Sequence, residues 1–346
     1  MKAVFRATNP EDGERLSRLF AESFNSVTGN SLLDPNSLLD PNMMAWKYWD
    51  VRDDWTEPRS YVLEKDGRLL AHAGIWPAKF GQPPTEVRGV QMIDWAGVKD
   101  SPGAGTAIVQ KFARMFDFIY SIGGSEMTRS VLPAFGFVEL THAWTAARPL
   151  RPFRQMLLHQ HKNWKLCARL IRNWSWSISP KRRVNAGWKV ENLRPSGISD
   201  TDEMRFNSRT SAFFEYLLRC PAVKYQIFGV RNEGSLQGHF ALGVLRGQAR
   251  IGGVWLRNPT EENLRMVYTL AQEAATRLEN ACEIAASGTE GPSGRAAAQA
   301  GLRILKSTPV YLLNKKGNFN FPENFEFQMS DDDAAFLDTG AASFYT

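Results

Sequence analysis

The sequence has few cysteines and no long apolar run, and each shortage excludes a class of protein. Cys167, Cys220 and Cys282 are odd in number and widely spaced, so we expect neither a disulfide framework nor a zinc site built on them. No stretch approaches the ~18 consecutive apolar residues of a spanning helix, and residues 1–16 lack the apolar core of a secretory signal. We therefore expect a cytoplasmic protein with reduced thiols and no transmembrane segment.

Acidic residues are absent from Leu140 to Val190, although the whole chain contains 36 of them. The same stretch holds eleven of the 42 lysines and arginines. The formal net charge of +6 therefore has a local origin, and the rest of the chain is slightly acidic. The eleven basic residues are Arg148, Arg151, Arg154, Lys162, Lys165, Arg169, Arg172, Lys181, Arg182, Arg183 and Lys189.

Two short patterns recur along the chain at nearly the same offset. The hairpin sequence DGRLLAH, which contains His72, is matched by EGSLQGH, which contains His239. A helix end at Phe135-Gly136-Phe137 is matched in the same way at Ala300-Gly301-Leu302. Since 346 residues suit two domains of ordinary size, we interpret the recurrence as an internal duplication.

The duplication predicts four segments. An N-terminal α/β domain with a glycine loop is followed by a basic aromatic connector, by a second α/β domain without such a loop, and by a tail. The tail contains the acidic run Asp331–Asp333, which we expect to be solvated. The predicted ranges are 1–147, 148–187, 188–320 and 321–346.

The strongest local motif is a glycine loop, SPGAGT, between a predicted strand and an amphipathic helix. The start of a helix presents amide N–H groups without intrahelical acceptors, which suits a phosphate. Gly103 and Gly105 allow close approach of the backbone, and Thr106 adds a hydroxyl. A plain strand-to-helix turn with a proline at the bend is the alternative interpretation.

The order of these elements resembles the GNAT superfamily of acyl-CoA-dependent N-acyltransferases, over residues 3–147 and more faintly over 188–320. The resemblance implies a mixed α/β sheet in two tandem copies, with acetyl-CoA or another acyl-CoA as co-substrate. It implies that the strand before the loop aligns the acyl group and that the loop amides hold the pyrophosphate of coenzyme A. The implied binding residues are Trp95, Ala96, Gly97, Val98, Gly103, Ala104, Gly105, Thr106 and, on the later short helix, Ser125.

Three positions depart from the pattern of that family. Asp100 stands where Arg or Gln is usual, Ser125 where Asn is frequent, and Leu132 where a general-acid Tyr is frequent. The second copy continues as RNPTEENL after its corresponding strand and has no glycine loop. We therefore expect only the first copy to bind coenzyme A.

Direct attack of an amine on the thioester requires a proton acceptor. Asp94 and Glu126, predicted at the ends of neighbouring core strands, are the candidates, and a buried carboxylate with a raised pKa would suit this role. A structural cap or ion pair is the alternative for each. His72 is a third candidate base, although its recurrence as His239 favours a structural role.

Acyl transfer from acyl-CoA to a small-molecule, amino-sugar or cell-envelope amine is thus the predicted function. An inactive GNAT-like binding or scaffold protein is one alternative, and a tRNA-dependent aminoacyl transferase is another. The basic connector, with three tryptophans, is compatible with an anionic membrane surface, a nucleic acid or an anionic substrate. It is also compatible with a helix that merely covers a core.

Overall fold

Two compact units make up the chain in the computed structural model. Unit 1 contains Met1–Leu140, Glu203–Pro221 and Pro309–Phe325, and unit 2 contains Thr141–Asp202, Ala222–Thr308 and Glu326–Thr346. The structure describes residues 2–25, 39–80, 86–159, 164–178, 184–198, 210–314, 317, 326–337 and 344–346.

Twelve strands are present in the described residues. They are β1 Val4–Ala7, β2 Ser60–Lys65, β3 Arg68–Phe80, β4 Val87–Gly97, β5 Phe118–Ile122, β6 Val138–Pro149, β7 Trp188–Asn192, β8 Lys224–Asn232, β9 Ser235–Leu245, β10 Gln248–Leu256, β11 Glu283–Thr289 and β12 Arg303–Leu313.

Nine α-helices are present in the same part of the chain, and the second continues as a π-helical turn over Ala45–Trp49. The helices are α1 Gly13–Asn25, α2 Pro41–Met44, α3 Ala104–Met115, α4 Glu126–Val131, α5 Pro152–Leu158, α6 Lys165–Ile178, α7 Ser211–Leu218, α8 Glu261–Arg277 and α9 Pro292–Gln299.

The sheet of unit 1 has the order β1-β2-β3-β4-β5, antiparallel up to β4 and then parallel between β4 and β5. Its core lies between the sheet and α3, whose buried residues Ile108 and Phe112 recur at helical spacing. A second cluster packs α1 and the π-helical turn against the sheet through Leu16, Phe20 and Tyr48. The two clusters pack against opposite faces of the sheet, and each contains side chains of β4.

Unit 2 repeats this topology. Its strands follow the order β7-β8-β9-β10-β11, antiparallel up to β10 and then parallel between β10 and β11. The turn Glu233-Gly234 matches Asp66-Gly67, since all four residues have positive φ and each pair joins two antiparallel strands. The structural repeat supports the internal duplication inferred from the sequence.

The last strand of each predicted copy, β6 or β12, pairs with a strand of the other copy. Residues Pro149–Ala143 of β6 pair with β11 in unit 2, whereas Val310–Leu313 of β12 pair with β5 in unit 1. The compact units are therefore discontinuous, unlike the continuous ranges 1–147 and 188–320. Sequence periodicity identifies a strand but does not identify the strand with which it pairs.

The C-terminal segment differs from the expected solvated tail. Residues Phe327–Leu337 pack in unit 2, where Asp331 is buried and its carboxylate accepts a hydrogen bond from the Gln328 amide at 2.8 Å. Glu283, at the start of β11, also accepts hydrogen bonds from the amides of Tyr345 and Thr346. The acidic run is thus partly a capping element of a folded segment.

The basic connector forms α5 and α6, both in unit 2. Lys162, Lys181, Arg182 and Arg183 lie outside the described residues. Across the described ranges, no helix is long and apolar enough to cross a bilayer.

We predict that Gly294→Val destabilises unit 2 by about 2–4 kcal/mol. A Cβ at this position would lie 2.9 Å from the Trp144 indole nitrogen, and that N–H donates to the Thr289 carbonyl at 2.9 Å. The ring therefore moves only by losing its hydrogen bond. Chemical denaturation measures the change. Ala298→Val, on the exposed side of the same helix α9, is the control and is expected to change stability by less than about 1 kcal/mol.

Candidate active site

A β-bulge interrupts β4 at its C-terminal end. Gly74 pairs with Ile93 and His72 with Ala96, so β4 contains one more residue than β3 over this interval. Asp94 has a φ of 48°, in the left-handed region, where Asp is tolerated better than most residues. The bulge changes the direction of β4 directly before the glycine loop.

The imidazole of His72 binds the main chain of the bulge. Its Nδ1 lies 2.9 Å from the Asp94 carbonyl oxygen, and its Nε2 lies 2.9 Å from the Ser60 hydroxyl. Because a carbonyl only accepts, Nδ1 carries the proton and Ser60 donates to Nε2. Thr8 then donates to Ser60 at 2.7 Å, and the Trp49 indole N–H donates to Thr8 at 3.0 Å.

This chain of donors satisfies a buried imidazole in one tautomer. His72 is fully buried, and burial lowers its pKa to about 4, although the hydrogen bond to the Asp94 carbonyl acts in the opposite direction. The ring is therefore neutral at neutral pH and both of its nitrogens are engaged. The geometry is that of a positioning residue, and the role of His72 as a base stays a prediction.

The carboxylate of Asp94 is buried in an ion pair. It accepts from the Lys47 ammonium at 2.6 Å and from the Tyr48 hydroxyl at 2.5 Å. Burial alone would raise the pKa of Asp94, but the charge and hydrogen bond of Lys47, together with that of Tyr48, hold this pKa below its usual value. The environment of Asp94 is therefore that of the structural ion pair named above as the alternative, and not that of a carboxylate with a raised pKa.

The π-helical turn that carries Lys47 is fixed by side chains of unit 1. The Trp46 carbonyl oxygen accepts from the Arg59 guanidinium at 3.3 Å and from the Tyr216 hydroxyl of α7. The rings of Trp46 and Tyr216 stack with their centroids 5.0 Å apart. A lysine in the otherwise aromatic and apolar run of residues 43–49 is the only sequence signal that could have indicated this buried cation.

The strands β4 and β5 pair over a short interval and then separate. Their parallel pairing joins Gly89–Gln91 to Phe118–Tyr120, whereas β4 continues to Gly97 and β5 to Ile122. Beyond Gln91, no described strand of unit 1 pairs with β4 on the β5 side. This leaves β4 main chain unpaired in the sheet on the side that leads to the glycine loop.

The glycine loop starts α3. Gly103 is the N-cap residue, with a φ of 90°, and a Cβ built on it would meet no atom within 4 Å. The Ala107 amide makes the first intrahelical bond, to the Gly103 carbonyl at 3.0 Å, so the amides of Gly105 and Thr106 have no acceptor within the helix. The surface above Gly103 can therefore take an anionic group.

The Trp95 indole covers the second glycine of the loop. A Cβ on Gly105 would lie 2.8 Å from the Trp95 indole nitrogen, and the Trp95 ring meets the Phe135 ring edge-on at 6.0 Å. Ala96 and Val98 are buried, whereas Gly97 is exposed and its carbonyl accepts from the Ser23 hydroxyl at 3.1 Å. Only glycine at 105 allows this packing of Trp95.

The remaining predicted site residues lie on α4. Ser125 is its N-cap and accepts from the Thr128 amide at 3.1 Å, so its hydroxyl already stabilises the helix. Glu126 is the first residue of the helix and is exposed. The two predicted carboxylates thus have different environments, since Asp94 is buried and ion-paired while Glu126 faces solvent.

Asp100 is neutralised by a neighbouring cation. The Arg68 guanidinium contacts its carboxylate at 2.6 Å, and the Arg68 pKa is raised by that hydrogen bond. The acidic residue that replaces the usual Arg or Gln therefore does not leave an isolated negative charge beside the loop.

In unit 2, β10 and β11 separate as β4 and β5 do in unit 1, but another segment of the chain fills the gap between them. The parallel pairing of β10 with β11 ends at Ile251, next to a bulge at Gly252. Beyond it, the Gln328 side chain binds both the amide and the carbonyl of Val254, and the Gln328 backbone pairs with Gly288. The described residues of unit 2 therefore contain neither a glycine loop nor an open strand edge like those of unit 1.

Metal and disulfide chemistry have no geometric support in the described ranges. No group of three His, Cys, Asp or Glu side chains there is placed to hold a metal ion. Cys167, Cys220 and Cys282 are free thiols.

Comparison with known proteins gives structural but not sequence relatives. No protein-family model matches the chain, and no curated protein is significantly similar in sequence. A GCN5-related N-acetyltransferase from Anabaena variabilis is 9% identical with a TM-score of 0.53, over 90% of this chain and 73% of that chain. A probable N-acyltransferase from Enterococcus faecalis is 9% identical with a TM-score of 0.54, over 90% and 72%.

A tandem GNAT protein from the clavulanic acid biosynthesis pathway is also similar in structure. It is 11% identical with a TM-score of 0.53, over 90% of this chain and 98% of that chain. At such identities the similarity shows the fold and not the activity. The mixed α/β fold expected from the sequence is confirmed, and the chain has a divergent, tandem GNAT-type fold.

Proposed function

We propose that unit 1 binds an acyl-coenzyme A, with acetyl-coenzyme A as the simplest case, between β4 and β5. The observation that carries this proposal is the separation of the two strands beyond Gln91, next to a helix start with an open glycine cap. The thioester end of the acyl-coenzyme A would lie along the unpaired edge of β4 and form hydrogen bonds with main-chain groups there. The GNAT-type fold supports the same placement.

The glycine loop holds the pyrophosphate in this proposal. Amides of Gly105 and Thr106, together with the positive end of the α3 dipole, favour an anion. The ion pair of Arg68 with Asp100 reduces the repulsion that Asp100 alone would exert on phosphate oxygens. The departure from the family pattern at this position thus weakens the site without abolishing it.

The reaction is direct transfer. The nitrogen of a neutral amine attacks the thioester carbon while main-chain groups near Trp95–Gly97 polarise the carbonyl oxygen. The carbon–sulfur bond then breaks, the nitrogen releases one proton to a base, and the coenzyme leaves as a thiolate. A thiolate whose conjugate acid has a pKa of about 8.5 leaves without a dedicated acid, which accommodates Leu132 at the usual Tyr position.

Asp94 acts as a positioning residue in this mechanism. Its lowered pKa makes it a poor proton acceptor, and its carboxylate is already engaged by Lys47 and Tyr48. The pair fixes the bulge that directs the following residues toward the gap. Glu126 is exposed and stays the candidate base, acting directly or through water.

Unit 2 does not bind coenzyme A in this proposal, because the Phe327–Met329 segment occupies the equivalent gap. The acceptor is an amine of a small molecule, an amino sugar or a cell-envelope component.

The first prediction of this proposal is that acetyl-coenzyme A stabilises the protein. At about 100 times its dissociation constant it should raise Tm by roughly 5–10 °C, because ligand binding adds about 2.7 kcal/mol to the stability of the unit that binds it. Gly103→Asp should abolish this shift, since it places a negative charge on the phosphate-binding face. Differential scanning fluorimetry measures both effects.

Gly103→Asn is the matched control. Asn and Asp have the same shape and both tolerate a positive φ, so only the charge differs. The Asn variant should keep most of the shift. Absence of any wild-type shift at millimolar acetyl-coenzyme A would contradict the proposal and favour the inactive binding protein.

The second prediction separates the structural and chemical roles of the buried pair. Asp94→Asn should cost about 3–5 kcal/mol, because it leaves the Lys47 ammonium buried without its counter-charge. Adding Lys47→Met should recover most of that stability. Free energies of unfolding from urea titrations measure this coupling.

If Asp94 only positions the bulge, the Lys47→Met/Asp94→Asn double variant should also recover transfer activity. Activity is followed as thiol release from acetyl-coenzyme A in the presence of glucosamine, spermidine or lysine. A double variant that is stable but inactive would show instead that the carboxylate takes part in the chemistry.

The third prediction concerns His72. Its pKa is about 4 in the folded protein and about 6.5 in the unfolded chain, so the unfolded state binds the proton first as the pH falls. The contribution of the neutral ring to stability is present above pH ~6.5 and is lost progressively as the pH falls toward about 4. Wild type should lose about 2 kcal/mol more than His72→Gln between pH ~7 and pH ~5. Equal losses in the two proteins would show that His72 does not titrate in this way.

A further inference from the structure

Helix α6 of unit 2 presents apolar side chains to solvent along its whole length. Trp164 precedes the helix and is 78% exposed, and Ile171 and Ile178 are 72% and 68% exposed. These residues are seven apart, which corresponds to two helical turns, so they lie on one face. The exposed residues Cys167, Ala168 and Trp174 lie on the same face, between them.

The opposite face of α6 is held to unit 2 by polar contacts. Asn173 is buried and donates to the Gln155 side chain of α5 at 2.9 Å, and Arg172 donates to Asn173 at 3.1 Å. The inward face also carries the half-buried Leu166, Leu170 and Trp176, so α6 has apolar residues on both faces, whereas a typical surface helix keeps them on the inward face.

The apolar face continues onto α5. Phe153 and Leu157 are exposed there, and the Phe153 ring meets the Trp174 ring edge-on at 6.1 Å. We call the exposed large apolar side chains of α5 and of residues 164–178 the connector patch. Seven of the sixteen exposed large hydrophobic side chains in the described residues belong to it, and such clustering marks an interaction surface. The seven are Phe153, Leu157, Leu158, Trp164, Ile171, Trp174 and Ile178.

The charged side chains of the connector itself have one sign, although the exposed Glu279 of a neighbouring segment lies near Arg154, which donates to its carbonyl oxygen. Arg154, Lys165 and Arg172 are exposed beside it, and no acidic residue occurs from Leu140 to Val190. Burial lowers the pKa of Arg172, and so does repulsion from Arg169 and Arg303. Crowding of basic groups around an apolar face selects a partner that is both anionic and apolar.

An anionic lipid surface has both properties. A two-fold contact with a second copy of this chain would bring the same basic residues face to face, which is unfavourable. A nucleic acid would use the tryptophans and the charges but would leave Leu157, Ile171 and Ile178 without an apolar partner. Headgroup phosphates meet the basic side chains, while the acyl region takes the aliphatic ones.

We propose that the connector patch docks unit 2 on an anionic membrane surface, with α6 lying in the plane of the interface. The helix of 14 residues is about 21 Å long, which suits a surface-lying helix and not a spanning one. Tryptophan and phenylalanine side chains then lie at headgroup depth. The docking does not depend on the proposed acyl transfer, and it would deliver a membrane-borne amine to an enzyme held at that surface.

Vesicle co-sedimentation of the full-length protein tests the proposal. Wild type should sediment with phosphatidylcholine vesicles that contain phosphatidylglycerol and should stay in solution with phosphatidylcholine alone. The triple variant Ile171→Ser/Trp174→Ser/Ile178→Ser should bind about tenfold or more weakly, because it removes apolar area without changing charge. Its Tm should fall by no more than a few degrees, since Ile171 and Ile178 are largely exposed and Trp174 loses only its contact with Phe153.

The matched control is Ile304→Ser/Leu305→Ser on β12. These two side chains are also exposed and apolar but lie outside the connector patch, so vesicle binding should be unchanged. A second variant, Arg154→Gln/Lys165→Gln/Arg172→Gln, should weaken binding at low salt while keeping the apolar face.

Three results would overturn the proposal. One is the absence of sedimentation with anionic vesicles at low salt. Another is equal binding by the wild type and the triple serine variant, which would indicate charge attraction alone. The third is a wild-type dimer that the triple serine variant converts to a monomer in light scattering, which would assign the patch to self-association. A loss of acetyl-coenzyme A binding would leave the vesicle result unaffected, so the two proposals fail separately.

Discussion

The β4 bulge depends on one buried charge, the carboxylate of Asp94. Removing a carboxylate and an ammonium from water is strongly unfavourable, so the pair persists only with close contact and additional hydrogen bonds. Lys47 and Tyr48 provide these from one helical turn, while His72 holds the carbonyl of the same residue. Side chain and main chain of Asp94 are thus fixed independently, in a left-handed backbone conformation that residues other than glycine adopt uncommonly. Even the turn that carries Lys47 is fixed, by Tyr216 and Arg59.

The two units differ in structure at one equivalent position, the bulge in the fourth strand of each sheet. Both β4 and β10 contain a bulge where the parallel pairing to the next strand ends. In unit 1 the bulge residue is charged and buried against a cation, and the following loop starts a helix with glycines. In unit 2 the bulge contains Gly252, and Gln328 satisfies the backbone groups that the separation of the strands exposes. Since buried main-chain groups need hydrogen-bond partners, the groups exposed where two strands separate are satisfied by water, by a ligand or by another segment of the chain. Unit 2 uses a segment of its own chain, through Gln328.

Local sequence signals predicted the local structure of the site well. The hairpin at Asp66-Gly67, the glycine loop before α3 and the amphipathic face of α3 are all decided by residues close in the chain. What the sequence could not indicate depends on distant residues. The pKa of Asp94 is set by Lys47, 47 positions away, and the exchanged strands β6 and β12 pair with strands more than 130 positions away. Asp331 illustrates the same limit, because an acidic run looks solvated until its capping contact is known.

The basic connector shows how composition and periodicity answer different questions. Its lack of acidic residues is visible in the sequence and is compatible with an anionic partner, but charge alone does not distinguish a lipid surface from a nucleic acid. The spacing of apolar residues in α6 predicts an amphipathic helix, and the usual inference is that the apolar face is buried. Here the inward face is fixed by the Asn173–Gln155 hydrogen bond, which leaves Trp164, Ile171 and Ile178 in solvent. The connector patch is thus an exposed apolar face with basic residues beside it. Together, the apolar face and the basic charge restrict the class of partner more narrowly than either one does alone.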